Sequence, residues 1–154
     1  MQFSVGCEYA IHGLLYLALQ PPDEVVLVTD IAKAQNLPVS YLAKVFQYLA
    51  KAGLVKSFRG AKGGYMLAQP PGRITLRHIT QAIDGAGPMF SPLSSRRECS
   101  AEADCLIREA FTKAEESMLH ELEKVTLHEM VERARHMGSR MKWLHLPETD
   151  LVSS

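Results

Sequence analysis

Two cysteines lie close together in the second half of the chain, in the heptapeptide CSAEADC. Cys99 and Cys105 are separated by five residues, which are small or acidic. Cysteine thiolates are ligands that iron–sulfur clusters and zinc prefer in proteins. The pair therefore resembles half of a metal or cluster site, and the other half has to come from elsewhere in the chain.

Glu8 and His12 are the strongest candidates for the missing donors. They are four positions apart in a segment with helical periodicity, so their side chains project from one face, one turn apart. A carboxylate oxygen and an imidazole nitrogen can both bind iron. A simple surface pair of the two side chains remains an alternative. Cys7 could replace Glu8 as a ligand, but it points about 100° away around the helix and is more simply a buried thiol.

Two further alternatives concern the same chemistry. Cys99 and Cys105 could carry no ligand, or could form a reversible disulfide. A predicted helix near the C-terminus also carries a stripe of residues four positions apart that could bind zinc, although spaced charged residues usually face solvent. This stripe comprises His128, Glu132 and His136.

Composition limits the class of protein. A chain of 154 residues can form one domain with its own core and an appended helix. No apolar run reaches the length of about 18 residues that a membrane helix needs. The N-terminus lacks the basic region of a secretory signal, so we expect a cytoplasmic protein with no membrane partner. We find no nucleophile with a partnered base and no phosphate cradle, so we do not expect an enzyme.

The net charge of zero conceals a strong segregation of charge. Between Ile31 and Ile83 there are eight Lys and Arg residues and no Asp or Glu, so this stretch carries a charge of +8. The rest of the chain therefore carries a charge of −8. A basic block of this kind is the electrostatic signature of a protein that binds a polyanion such as DNA. A solvated positive face without a partner is the simpler alternative. The basic residues are Lys33, Lys44, Lys51, Lys56, Arg59, Lys62, Arg73 and Arg77.

The first half of the chain has the outline of a helix-turn-helix. The periodicity of CEYAIHGLLYLAL predicts a first helix, and the VVLV run that follows suggests a short strand. We expect Thr29 to cap a short helix, and Ser40 to cap a longer one that ends at Gly53. The turn LPVS between these two helices is short enough to make them a DNA-binding pair.

The longer of the two helices has two distinct faces. Its apolar residues recur at helical spacing and should face the core; they are Leu42, Val45, Phe46 and Leu49. The remaining face is polar and can enter the major groove of double-stranded DNA. The residues expected to contact DNA on this face are Ser40, Tyr41, Lys44, Gln47 and Lys51.

Two short predicted strands, LVKSF and YMLAQ, follow the recognition helix and flank a glycine-rich turn. A hairpin in this position is a wing. We expect Arg59 to enter a minor groove and Lys62 to contact phosphate. Gly63 and Gly64 should permit positive φ angles and a close approach to the DNA backbone.

The second half begins with a helix capped by Thr75 and closed by Gly85, after which a loop of about 20 residues leads to the cysteines. A long helix then starts near Cys105. It carries one narrow apolar stripe, which favours a helix–helix seam, and we expect a second copy of the chain to cover it. The stripe comprises Ile107, Phe111, Ala114, Met118, Leu122 and Val125, and the capping box TLHE begins a last helix.

The residues from 40 to 67, SYLAKVFQYLAKAGLVKSFRGAKGGYML, are followed by ITLRHITQAIDG, a cysteine-containing loop and a long helix. This order resembles the Rrf2 family of bacterial regulators over residues 1–136, and KGGYML is very typical of it. The resemblance implies a mainly α-helical fold with a small β-wing, in a dimeric winged helix-turn-helix transcriptional regulator that senses through an iron–sulfur cluster.

The sequence departs from the usual pattern of the family at the cluster ligands. Members with a conventional cluster have three cysteines in the loop, and the first of these is missing here. The chain is most similar to a redox-sensing branch that uses a Glu and a His of the first helix with two loop cysteines. This implies a 2Fe–2S cluster held by Glu8 and His12 of one chain and by Cys99 and Cys105 of the other.

Taken together, these features predict four segments. Residues 1–85 form the winged helix-turn-helix DNA-binding domain, and residues 86–104 form the cluster-binding loop. Residues 105–143 contain the dimerisation helix and the C-terminal helix, and residues 144–154 are a flexible tail. The alternative function is a clusterless winged-helix regulator that signals through a thiol switch or a partner protein. A winged helix used only for protein contacts is a third reading, which the basic block disfavours.

Overall fold

The computed structural model describes residues 3–88 and 106–137. Cys99, Cys105, the greater part of the predicted loop and the predicted tail lie outside these residues. The described chain is mainly α-helical with one two-stranded antiparallel sheet, which confirms the predicted fold class. In chain order its elements are α1 (Val5–Ala18), α2 (Val28–Gln35), α3 (Val39–Lys51), β1 (Val55–Phe58), β2 (Gly64–Leu67), a 3-10 turn (Pro71–Arg73), α4 (Leu76–Asp84), α5 (Leu106–Lys124) and α6 (Leu127–Met137).

One hydrophobic core holds these elements together, except for α5. The four apolar residues predicted for the inner face of α3 are all buried, and Phe46 is completely inaccessible to solvent. Phe46 packs so closely on α1 that a methyl group placed on Gly13 would lie 2.7 Å from its Cε2 atom. The last helix, α6, returns to this core through Leu127, Val131 and Ala134. The N-terminal helix and the last helix therefore share one core.

The helix-turn-helix is formed by α2 and α3, but both helices begin earlier than the sequence indicates. The expected caps Thr29 and Ser40 lie inside the helices, and the residues that precede the helices, Leu27 and Pro38, make no side-chain cap. The turn is fixed instead by Asn36, which adopts a left-handed conformation with φ of 54°. Tertiary geometry thus overrides the local preference of Ser and Thr for the cap position.

The other predicted helix ends are confirmed. After α3, Gly53 has a φ of 75°, and the amide of Leu54 donates to the carbonyl of Leu49 over 3.0 Å, which is a Schellman ending. Thr75 caps α4 in a capping box with His78. At the start of α6, the amide of Glu129 donates to Thr126 Oγ1, and the amide of Thr126 donates to the Glu129 carboxylate.

The wing is a hairpin in which Val55 pairs with Leu67 and Phe58 pairs with Gly64. The predicted VVLV strand is reduced to a single bridge, from Val26 to Tyr65. The glycines of the wing were expected to approach the DNA backbone closely. Gly64 instead lies against the protein's own backbone, where a side chain would clash with the carbonyl of Val26. Gly64 has a positive φ of 152°. The wing is therefore anchored at its base.

The long helix α5 has no buried residue. It leans on α4, and Glu123 accepts a hydrogen bond from Arg77 over 2.7 Å. Its apolar residues near the N-terminal end are strongly exposed: Leu106, Ile107 and Phe111 are 76%, 56% and 47% accessible. Exposed apolar surface of this kind is typical of a site that contacts another segment or another chain.

Candidate functional site

The outer ridge of α3 is the natural reading surface of the helix-turn-helix. Ser40, Lys44, Gln47 and Lys51 are all exposed and lie opposite the buried face of the helix. The spacing of these residues places them on one line along the helix. A ridge of small and cationic side chains of this kind fits a major groove, as the sequence predicts.

Tyr41, also predicted to contact DNA, occupies a flank of this ridge. Its ring packs edge-on against Tyr9 of α1, with 5.7 Å between ring centroids, and 41% of the residue remains exposed. Its hydroxyl reaches the first turn of α1 near Gly6. Tyr41 thus links the recognition helix to α1, which the sequence pattern did not indicate.

The wing carries the two predicted cations at its tip. Arg59 and Lys62 are exposed, whereas Gly63 is buried beneath the turn and does not have a positive φ. A side chain on Gly63 would collide with the carbonyl oxygens of Phe58 and Gly60. Glycine is therefore required at this position by contacts within the wing. The expectation that Gly63 has a positive φ is wrong.

The basic block supplies the cations of the ridge and of the wing tip. One member, Arg77, is held in an ion pair with Glu123 of α5. The other seven cations of the block are all exposed. Exposed cations in a stretch that contains no Asp or Glu favour contact with a polyanion.

Glu8 and His12 line a second feature, a groove of about 440 Å³ between α1, α4 and α5. Glu8 is exposed and His12 is half-buried. The opposing wall is apolar and includes Leu76 of α4 and Leu122 of α5. The structure therefore brings the two predicted donors together at one groove, within reach of a molecule or chain segment that enters it.

The environment of the groove determines the charge of its side chains. Partial burial lowers the pKa of His12, and the nearby Glu8 carboxylate opposes this shift. His12 is therefore neutral near pH 7, which is the form that binds metals. Burial, reinforced by the negative charge of Asp84, raises the pKa of Cys7 to about 11. Cys7 also lines this groove, but it is only 2% exposed, whereas Glu8 is exposed, so Glu8 is the more accessible donor.

Within residues 3–88 and 106–137, no group of three or more His, Cys, Asp or Glu side chains could hold a metal ion. The candidate zinc stripe on α6 therefore does not form a site by itself. Glu8 and His12 supply one oxygen and one nitrogen donor, which is half of the set that a 2Fe–2S cluster needs. The chemistry of these donors fits such a cluster, provided that two more ligands come from another segment.

A helix-turn-helix followed by a hairpin wing, with cations on the reading face, defines a winged-helix DNA-binding protein. The chain belongs to the Rrf2 family, since a family model described as "Iron-dependent Transcriptional regulator" matches residues 3–133. It is thus a DNA-binding transcriptional regulator. No helix in the described parts of the chain combines the length and the hydropathy that a membrane span requires.

Relatives and solved structures agree with this assignment. A protein of Neisseria meningitidis serogroup A, named as an HTH-type transcriptional regulator, is 31% identical over 142 residues, which cover 92% of this chain and 95% of the relative. A Synechocystis protein named in the same way is 42% identical over 84 residues, 54% of this chain and 57% of the relative. The match therefore spans little more than half of the Synechocystis protein.

Two solved structures share the fold over most of their length. CymR, named as the global cysteine regulator of B. subtilis, has a TM-score of 0.71 and 26% identity, covering 87% of this chain and 98% of CymR. IscR of T. potens has a TM-score of 0.69 and 28% identity, covering 90% of this chain and 91% of IscR. Both therefore support the assignment of the fold.

Proposed function

We propose that this regulator is a homodimer that senses redox state or iron–sulfur status through a 2Fe–2S cluster. In this proposal Glu8 and His12 of one chain and Cys99 and Cys105 of the other hold the cluster. The observation that carries the proposal is the convergence of Glu8 and His12 on one groove with apolar walls. The description of the family as iron-dependent supports it.

The residues of the groove have separate tasks in this proposal. His12 offers a nitrogen lone pair because burial lowers its pKa and keeps the ring neutral. Glu8 offers an anionic oxygen from an exposed position, so a chain segment entering the groove can reach it. The apolar wall formed by Leu76 and Leu122 limits the access of water. When bound, the cluster would supply a one-electron change of charge in this groove.

A second copy of the chain has two roles in the proposal. It covers the exposed apolar surface of α5, and it places its loop cysteines at the groove. Ile107 and Phe111 belong to this surface and are about half exposed in the single chain. Dimeric helix-turn-helix regulators also match the two-fold symmetry of their operators.

Anaerobic purification tests the cluster directly. The wild-type protein should be coloured and contain two iron and two sulfide ions per chain. Alanine at Glu8, His12, Cys99 or Cys105 should remove or destabilise the cluster, whereas Cys7→Ala should retain it. Colourless protein without iron after reconstitution would refute the proposal.

Binding of DNA is measured separately. Contact with about six phosphates should give a slope of log affinity against log salt of roughly −5.

A clusterless thiol switch is the second candidate function. Similarity to CymR of B. subtilis, named as a cysteine regulator, and to an oxidized form of Staphylococcus aureus CymR, 25% identical with a TM-score of 0.65, favours it. The raised pKa of Cys7 leaves Cys99 and Cys105 as the reactive thiols. A loss of two mass units on mild oxidation, with unchanged mass in Cys99→Ala, would support this candidate. A co-purifying partner protein would point to signalling through that partner.

A further inference from the structure

A third groove lies on the flank of the recognition helix, beside the predicted DNA-reading ridge. It has a volume of about 270 Å³ and separates α3 from the first turn of α1. Tyr41, Lys44 and Tyr48 form one wall, and Ser4 and Val5 form the other. No residue around the groove is acidic: the lining is completed by Gly6, Val45 and Ile83.

The groove is partly apolar and open to solvent. Tyr48 is 45% exposed and Val5 is 57% exposed. Tyr41 is held in place by its edge-on contact with Tyr9. The carboxylate of Asp84 accepts a hydrogen bond from the amide of Ser4 over 3.1 Å, but Asp84 lines the cleft between α4 and α5 and does not line this groove.

The chemistry of the groove fits a sugar–phosphate backbone. Lys44 supplies a positive charge, and the hydroxyl groups of Tyr48 and Ser4 can donate hydrogen bonds to phosphate oxygens. The Ser4 Oγ atom accepts a hydrogen bond from the amide of Cys7, which leaves its own proton available to donate. The tyrosine ring and Val5 offer apolar surface to a deoxyribose.

The position of the groove also indicates its occupant. Lys44 belongs both to this groove and to the exposed ridge of α3. When the ridge enters a major groove, the DNA strand that borders that groove must run along a flank of α3. The flank formed by the tyrosines is therefore continuous with the DNA-reading surface.

We propose that this groove binds the sugar–phosphate backbone of the operator, so that the first turn of α1 is part of the DNA interface. Ser4 and Val5 also line the groove of Glu8 and His12, and the N-terminal turn of α1 thus separates the two sites. The helix that carries the candidate metal donors would then contact DNA directly. This inference depends on DNA binding and is independent of the cluster.

A charge reversal in the groove tests the proposal. A backbone contact does not depend on base sequence, so a duplex of about 30 base pairs with random sequence serves as the probe, titrated by fluorescence anisotropy at low salt. Val5→Glu should weaken binding about fivefold or more, and Val5→Lys should strengthen it by a similar factor. Glu is favourable in the first turn of a helix, so a loss of affinity would not reflect unfolding.

Matched variants complete the test. Thr112→Glu and Thr112→Lys make the same charge changes on α5, where Thr112 is exposed and outside the apolar stripe, and should change affinity less than twofold. Tyr48→Phe and Tyr48→Ala should weaken binding in that order, with the salt slope unchanged, whereas Lys44→Ala should lower the slope by about one. Equal effects at Val5 and Thr112, or full affinity in Tyr48→Ala, would overturn the proposal.

Discussion

Three side chains in the first half of α1 line one groove and differ in chemistry because they differ in exposure. Cys7 is buried, and burial and Asp84 keep its thiol protonated. Glu8 faces solvent at the rim of the groove, and His12 lies one turn further along it. The sequence spacing predicted that Glu8 and His12 share a face, whereas the place of Cys7 beside the same groove was not predicted.

The protection of Cys7 can be measured in a variant that lacks the other two cysteines. In Cys99→Ala/Cys105→Ala, Cys7 should react with iodoacetamide at pH 8 about 100-fold more slowly than free cysteine. The reason is a pKa raised from 9.0 to about 11, which lowers the thiolate fraction tenfold per unit. Unfolding in urea should restore the ordinary rate, and a fast reaction in the folded protein would contradict the assignment of Cys7 to the core.

The same shift makes stability depend on pH. Because the folded protein retains the Cys7 proton to a higher pH than the unfolded chain, the stabilising contribution is complete below pH 9. It is lost as the pH rises through about 11. Urea titrations of the double variant between pH 8 and pH 10.5 should show falling stability, and a further Cys7→Ala change should remove that part of the slope.

At the scale of elements, periodicity predicted the helices and the wing, and local caps were predicted less well. Gly53, Gly85 and Thr126 act as expected, because each closes or opens its helix through its own backbone or side chain. Ser40 does not, because the left-handed Asn36 and the tight turn between α2 and α3 set the start of α3. Thr29 does not either, because the bridge from Val26 to Tyr65 leaves Leu27 at the cap position of α2. Long-range geometry of this kind is absent from the local sequence pattern.

The anchoring of the wing can be tested with two glycines. Gly64→Ala should destabilise the protein by about 1–3 kcal/mol, because positive φ and a clash with the Val26 carbonyl act together. Gly60→Ala serves as the control: its φ is 99°, but nothing lies within 4 Å of the added methyl group. The strained φ alone should cost about 1 kcal/mol in a urea titration, which is less than the strain and the clash together at Gly64. Equal losses would show that the contact with Val26 does not anchor the wing.

The contribution of the α6 capping box to the free energy of unfolding can be predicted. Thr126→Ala removes the side-chain acceptor for the amide of Glu129 and should cost about 1 kcal/mol in thermal or urea unfolding. Hydrogen bonds from Thr126 also lower the pKa of Glu129, so the contribution of the carboxylate is lost as the pH falls below its ordinary value of 4.5. Thr112→Ala, in exposed α5, is the control and should be neutral. An unchanged stability in Thr126→Ala would show that α6 is held by its core contacts alone.

At the scale of the whole molecule, the sequence predicted four residues that could bind a metal. Two of them, Glu8 and His12, lie side by side at one groove. The apolar wall of Leu76 and Leu122 was not predicted, because it depends on the packing of α4 and α5 against α1. The tyrosine flank of α3 was also missed, although the exposed Tyr48 on a cationic helix was a signal. Cys99 and Cys105 lie outside the described residues, so their part in the site stays a prediction.

The proposed dimer makes a specific prediction for α5. Ile107→Arg places a charge in the apolar stripe and should weaken dimerisation about 30-fold or more in sedimentation equilibrium, the loss expected for a central interface residue. Thr112→Arg is the control, since Thr112 is exposed and points about 100° away from Phe111 of the stripe. Similar dissociation of both variants, or of neither, would place the interface elsewhere.

The most direct test of the central claim uses a heterodimer of two deficient chains. One chain carries Glu8→Ala and His12→Ala, and its partner carries Cys99→Ala and Cys105→Ala, with different affinity tags for isolation of the mixed dimer. Neither homodimer should bind a cluster. The heterodimer regains one complete ligand set, so it should contain one 2Fe–2S cluster per dimer by iron count and by EPR after reduction. A heterodimer as devoid of iron as the two homodimers would contradict that claim.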